Sequence, residues 1–534
     1  MKQWTRIITL LLLAVLLAGL TACGRKEEKK VQSYAFSAAV VGSPGGFDPA
    51  LASSDAEKIA AVHLFENLMR LQSGKNGTDV VGALASSWEC IDNLDGTETY
   101  VFRLRQDAKW SDGRGVWAAD FVNGWKHLVA ESTGSPNAEI LNMVAGYEEA
   151  RAGDPDALQV RANGRNTLEV DLSCRCPYFL RSVCTAAATM PRRSDLAEKS
   201  GLVTNGPYAV KSYEDGVLTM DIAENYYDRD RLGPRTITLH FCDTAQQAVA
   251  LWDEGKVDFV CGVAEESVAE QGDWLRQPCP EVTVLIVNQM AQQLESVALR
   301  QILSLAIDRT ALASLAGSAL HTPAEGLVPD GITSSDGSAF RTPEDIHIDN
   351  SDYARSCELA RELLEQAEAR TAANRLTDLT ILYADQGVFG ALAEEIRDGW
   401  QEELGIPTRL RGASPEDMAD ALRDGTFHMA IITCRADRND AEAFLQTWQS
   451  GYPENFALFH SSAYDMLLRV AAASSSSEAR DAYLSDAERL LVEQGNVIPL
   501  YFTNRVYRLR SELTGLFSDG LGVFRFDAIR AAAG

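Results

Sequence analysis

Residues 379–434 read LTILYADQGVFGALAEEIRDGWQEELGIPTRLRGASPEDMADALRDGTFHMAIITC, and the change of periodicity within them points to the fold class. Leu379 to Tyr383 suits a short strand. Leu392, Ile396, Trp400 and Leu404 then recur on one helical face, and Gly405 ends that run. Ile406 to Arg411 predicts a second strand. Ser414 supplies an N-cap, Pro415 fits the first helical position, the helix stops at Gly425, and Phe427 to Cys434 is apolar enough for a buried strand. Strands alternating with helices predict an α/β fold in which helices cover a sheet.

The same grammar recurs upstream. Arg235 to Cys242 (RTITLHFC) alternates like a strand, Thr244 caps a helix running to Gly255, and Lys256 to Cys261 (KVDFVC) reads as another strand. These two regions suggest separate lobes, in keeping with 534 residues and 46% hydrophobic content. Tyr353, Cys357, Ala360, Leu364 and Ala367 mark one further helix, and a second is expected from Ser296 to Ala316. Between them, residues 317–350 show no sustained period and read as a long irregular segment, of the kind that is often functional.

At the N-terminus Lys2 and Arg6 precede an apolar run from Ile7 to Leu17, too short to span a bilayer, which ends in Leu20-Thr21-Ala22-Cys23. This matches a bacterial lipobox, so residues 1–22 are expected to be a signal peptide and Cys23 the lipid-bearing residue. Residues 24–30 (GRKEEKK) carry nothing to bury and suit a solvated tether. The chain has 49 Lys and Arg against 76 Asp and Glu, a net charge of −27, which argues against a nucleic-acid partner. Beyond Cys23 there are nine cysteines, an odd number, so at least one thiol stands outside any pairing within the chain.

Signatures of catalysis are missing: the sequence has no H-E-x-x-H, G-x-S-x-G, Walker A or G-x-G-x-x-G. Asp228-Arg229-Asp230 begins like a calcium loop, but Leu232 and Leu239 occupy positions that need oxygen ligands. The seven histidines lack metal spacing, and Cys174-Arg175-Cys176 lacks a second pair, so neither metal nor cofactor is expected and the chain reads as a non-enzyme.

Several blocks, in order, resemble one family. They include Phe47-Asp48-Pro49-Ala50, His63-Leu64-Phe65-Glu66-Asn67-Leu68, Leu84-Ala85-Ser86-Ser87-Trp88-Glu89 and Trp110-Ser111-Asp112-Gly113. They continue with Asn205-Gly206-Pro207-Tyr208, Asn225-Tyr226-Tyr227-Asp228, Ala306-Ile307-Asp308-Arg309 and Ile498-Pro499-Leu500-Tyr501. The set is similar to the extracellular solute-binding proteins of oligopeptide-type ABC transporters, solute-binding family 5. The resemblance implies a two-lobed periplasmic-binding-protein-like fold (type II, cluster C) with an additional N-terminal lobe, closing around ligand like a hinge. The expected division is a discontinuous lobe I (32–54, 200–280 and 500–534), an extra lobe II (55–199) and lobe III (281–499). Residues 23–31 form the tether, and the chain crosses between lobes near Cys279 and near Pro499.

The stretch with the strongest claim on a ligand is Cys434-Arg435-Ala436-Asp437-Arg438, which leaves the predicted strand at its C-terminal end, where ligands of open α/β sheets gather. In peptide-binding members of the family an Ala-Asp pair at this place meets the peptide's α-ammonium, a role the resemblance passes to Ala436-Asp437. Aromatics frequent in relatives are replaced here by Cys434, Arg438 and Asn137, and Arg435 with Arg438 offers an alternative, an anionic ligand. The expected protein is a monomeric, lipid-anchored receptor outside the cytoplasmic membrane, at the cell surface or in the periplasm. It would deliver oligopeptides or dipeptides to the permease and ATPase of an ABC importer. A non-peptide solute such as an oligosaccharide or metal chelate, or peptide sensing without import, are the alternatives.

Overall fold

Two strands of 13 residues each, Leu275–Val287 and Val497–Leu509, pair antiparallel and hold the architecture together. In this computed structural model residues 34–75, 77–193, 202–263, 274–342, 346–370, 378–474 and 476–532 are described, so Cys23, the signal segment and the tether lie outside them. The two long strands are the middle of an eleven-stranded sheet. To one side lie Met429–Arg435, Leu379–Ala384 and Thr408–Ala413. To the other lie Phe259–Cys261, Ala35–Val41, Thr236–Cys242, Val217–Ile222 and Tyr208–Glu214, and His321–Pro323 pairs with Val497–Leu509 off this path.

The two strand-helix-strand regions thus belong to one continuous sheet, not to two. Each keeps its local character, because Leu379–Ala384 is parallel to both neighbours and Ala35–Val41 is parallel to both of its own. Between Pro278 and Val282 the register against Val497–Leu509 shifts. Pro278 and Pro280 bring no N–H to a ladder, which interrupts pairing there.

Alternation along Val284 to Val287 explains why helices cover both faces. Val284 and Ile286 enter a core with Trp448, Tyr464 and Leu484, while Leu285 and Val287 enter another with Ile302, Leu392 and Trp400. All of these are essentially fully buried, and each large apolar side chain so buried contributes roughly 1.5–3 kcal/mol. Helix Phe389–Leu404 ends at Gly405 with φ +68°, and Ser414 accepts the Asp417 N–H at the start of Pro415–Arg423, as the sequence predicts.

The expected single helix from Ser296 to Ala316 is instead two, Val297–Leu305 and Arg309–Gly317. Asp308 starts the second by accepting the Ala311 N–H at 2.9 Å. Buried Arg309 donates to the carbonyls of Ser304 (3.2 Å) and Pro499 (2.7 Å), and the Trp400 indole donates to that of Leu303 (2.9 Å). Side chains from outside therefore satisfy the carbonyls that a continuing helix would have used.

A second sheet orders Ala85–Asp92, Glu98–Leu104, Thr167–Leu172 and Val160–Ala162, with helix Ala118–Val129 packed on it. Gly206 packs against the end of helix Asp55–Leu64. A Cβ there would stand 2.5 Å from the Leu64 and Phe65 backbone, so the Asn205-Gly206-Pro207 turn needs glycine for close approach. Among the described residues no helix is long and apolar enough to cross a membrane, and the nine cysteines stand unlinked.

Candidate functional site

The strand Met429–Arg435 pairs antiparallel with Leu275–Val287 up to Arg435, and the chain leaves it at Ala436, whose N–H is held by the Pro280 carbonyl at 2.9 Å. Beyond Ala436 the chain forms a loop that carries one exposed carboxylate and is pinned just after it by side chains. Asp437 is 55% exposed and accepts from Arg438 Nη1 at 3.0 Å. Asn439 is buried: its Oδ1 accepts the Thr333 N–H at 2.8 Å, and its Nδ2 donates to the carbonyls of Asp519 (3.0 Å) and Gly331 (3.3 Å). Asp440, also buried, takes a two-pronged pair from Arg480 at 2.8 and 3.0 Å, while Glu442 takes the same guanidinium at 2.8 Å.

Arg438 does not face outward as an anion-binding residue would. Its guanidinium is buried over the Tyr178 ring, 4.4 Å from the centroid, and donates to Gln446 Oε1 at 3.0 Å. Burial opposes its charge, but Tyr178, Asp437 and Asp440 more than compensate and hold it firmly protonated. Arg435 is 75% exposed and pairs across the ladder with Glu281, whose other oxygen accepts from Thr503 Oγ1 at 3.0 Å. Cys434 lies against the helix-covered core, and burial pushes its thiol up to about 12. Asn137 is spent elsewhere: its amide donates to the carbonyls of Ala50 (3.2 Å) and Ala52 (3.0 Å), and it is not among the residues lining the cavity that Asp437 lines.

Asp437 and Asn439 line a cavity walled by several stretches of chain. One wall comes from the turn Phe179–Val183, with Arg181 and Ser182, and another from residues 517–525, with Asp519 and Arg525. Arg525 is already paired with Asp527 at 3.3 Å. Partial burial pushes the Asp519 carboxyl upward, although it accepts the N–H groups of Leu521 (2.8 Å) and Val523 (3.0 Å). Arg181 donates to the Thr78 carbonyl at 2.8 Å, and Thr78 N–H in turn reaches the Gly337 carbonyl at 2.9 Å. Motif and spacing point to none of these wall residues, since each meets Asp437 only through chain far away in sequence. The cavity thus brings together the carboxylates of Asp437 and Asp519 and the guanidinium groups of Arg181 and Arg525.

The family model for bacterial extracellular solute-binding proteins, family 5, matches residues 79–456. The chain is 24% identical over 492 residues to the dipeptide-binding protein DppE of Bacillus subtilis (strain 168), covering 90% of this chain and 88% of that one. It is 28% identical over 461 residues to the periplasmic oligopeptide-binding protein OppA of Escherichia coli (strain K12), covering 82% and 81%. Among solved structures it resembles the unliganded open form of the periplasmic murein tripeptide-binding protein MppA, with TM-score 0.83, 23% identity and coverage of 94% and 98%. It also resembles Haemophilus influenzae OppA in complex with RPPGFSPFR, with TM-score 0.62, 22% identity and coverage of 94% and 99%.

Proposed function

The chain belongs to the bacterial extracellular solute-binding proteins of family 5, and we propose that it captures oligopeptides or dipeptides and delivers them to the permease and ATPase of an ABC importer. The observation that carries this reading is the carboxylate of Asp437, exposed just past the end of strand Met429–Arg435 and followed by the buried anchors Asn439 and Asp440, in a cavity walled by several stretches of chain. A peptide's α-ammonium is the cation that fits it, and a neighbouring strand offers backbone groups that bind without reading side chains. Relatives named for binding dipeptides and oligopeptides support the same cargo class.

On this reading the ligand sits between lobes that close on it, with strands Leu275–Val287 and Val497–Leu509 as the crossings. Cys23 carries the lipid that keeps the receptor at the membrane, and residues 24–30 give it reach. Native mass spectrometry of protein purified without refolding tests the cargo: co-purified masses in the range of short peptides are expected, whereas sugars or metal chelates would redirect the assignment. Fractionation of Cys23→Ser tests the anchor, and a processed variant that stays with the membrane would refute it.

A further inference from the structure

The turn Phe179–Val183 is π-helical, a wide turn that is rare and often found at functional sites. Phe179 fixes it in place through the rings of Tyr100, Trp125 and Phe102, at centroid distances of 4.7, 6.3 and 6.4 Å. The next two polar residues are less well served. Arg181 is 6% exposed; its Nη2 donates to the Thr78 carbonyl, and its Nε has no partner. Ser182, 8% exposed, has an Oγ that is equally unpartnered. Asp336, Asp79 and Asp440 act on Arg181 only from beyond ion-pairing distance, and burial, the larger influence, works against its charge. Buried donors are almost always bonded in native proteins, so two orphans in consecutive residues call for a partner. Both line the cavity that Asp437 lines.

We propose that Arg181 and Ser182 form a carboxylate subsite in this cleft. The favoured ligand is then a short peptide with a free C-terminus, its ammonium on Asp437 and its carboxylate on Arg181 and the Ser182 hydroxyl. The proposal rests on the peptide reading above and adds to it a second, oppositely charged anchor. A guanidinium presents several N–H donors in a fixed plane that matches a carboxylate, and Ser182 Oγ supplies one more. Discrimination follows from the same geometry. An amidated C-terminus leaves the guanidinium buried and unpaired, which costs more than the lost contact alone.

Calorimetry with a random tripeptide pool, and with the same pool amidated at the C-terminus, tests this on the wild-type protein and on Arg181→Gln and Ser182→Ala. The wild type is expected to bind the free pool at least about 30-fold more tightly than the amidated pool. Arg181→Gln, which keeps a donor for the Thr78 carbonyl, should lose a similar factor for the free pool and show little preference between pools. Ser182→Ala should weaken the free pool by roughly 3- to 10-fold. Equal binding of both pools by the wild type would overturn the subsite and leave the Asp437 reading standing, whereas binding of neither would overturn both. Should Arg181→Gln fail to fold by its melting curve, the wild-type comparison and Ser182→Ala decide the matter.

Discussion

The Arg438 guanidinium lies over the Tyr178 ring at 4.4 Å, which joins the loop that presents Asp437 to the turn that carries Arg181. One residue thereby braces two walls of the cleft. It also gives the cation beside Asp437 a place in the fold, since it stacks on an aromatic contributed from elsewhere in the chain.

Arg438→Ala is therefore expected to destabilise the fold by about 1–3 kcal/mol and to weaken ligand binding, because it removes a desolvated cation–π contact and frees Asp437 to wander. Arg438→Lys should recover only part of the loss, since an ammonium cannot stack and reach both Asp437 and Gln446 as a planar guanidinium does. Chemical denaturation of the three proteins reads the stability, and calorimetry with the tripeptide pool reads the binding. A lysine variant equal to wild type in both would remove the bracing role.

Arg480 and Asp440 are each 2% exposed and bound by two hydrogen bonds. Breaking a buried pair leaves a charge without a partner, so Arg480→Ala should cost about 3–5 kcal/mol. The double variant Arg480→Met with Asp440→Leu should cost less than the single change, because it leaves only the partly exposed Glu442 without its partner and no longer strands the buried Asp440. Urea unfolding midpoints give both values.

Stability should fall as the pH drops from about 6.5 to about 4, with His63 responsible. The ring is fully buried; its Nδ1 donates to the Ile59 carbonyl at 2.6 Å and its Nε2 accepts the Phe526 N–H at 2.9 Å. A second proton would set two N–H groups against each other, and burial, only partly offset by Asp527, lowers its pKa from 6.5 to about 4. The unfolded chain thus takes up the proton first, which amounts to roughly 3 kcal/mol lost across that window. Asp527 is held low by Arg525 and Arg231 despite its burial, so its own contribution is lost only below about pH 4. Thermal unfolding at a series of pH values should show the slope in the wild type and a flatter curve over the same window in His63→Gln.

Asp437→Asn keeps the side chain's size and hydrogen-bonding reach while removing its charge, so the protein should fold normally and bind peptides at least about 30-fold more weakly, a cost of about 2–5 kcal/mol. Acetylating the peptide's N-terminus should weaken binding to the wild type by a similar factor and add little in the variant. Calorimetry on the four combinations decides: fully additive penalties would place the ammonium elsewhere.

The elements of this protein are legible wherever their cause is local. Ser414 and Pro415 start a helix, Gly405 stops one, and the apolar run before Cys434 becomes a buried strand, because caps, φ restrictions and side-chain periodicity act within a few residues. The same locality makes Asp437 conspicuous, as the acid just past that strand. Where the cause is distant, sequence reasoning overruns or falls silent. The helix expected through Ala306 breaks because Trp400 and Arg309 claim its last carbonyls, and the two strand-helix-strand regions merge into one sheet because two long strands bridge them.

The family and its general task were determined by the sequence alone, carried by ordered blocks spanning the chain. Tertiary structure alone decided the destination of each polar side chain. Asn137 serves Ala50 and Ala52, Arg438 turns inward to Tyr178, and Arg181 with Ser182 comes to share a cavity with a carboxylate more than two hundred residues away. A short segment records what a side chain can bond to. Which bond it makes depends on the desolvation imposed by neighbours that only the folded chain assembles.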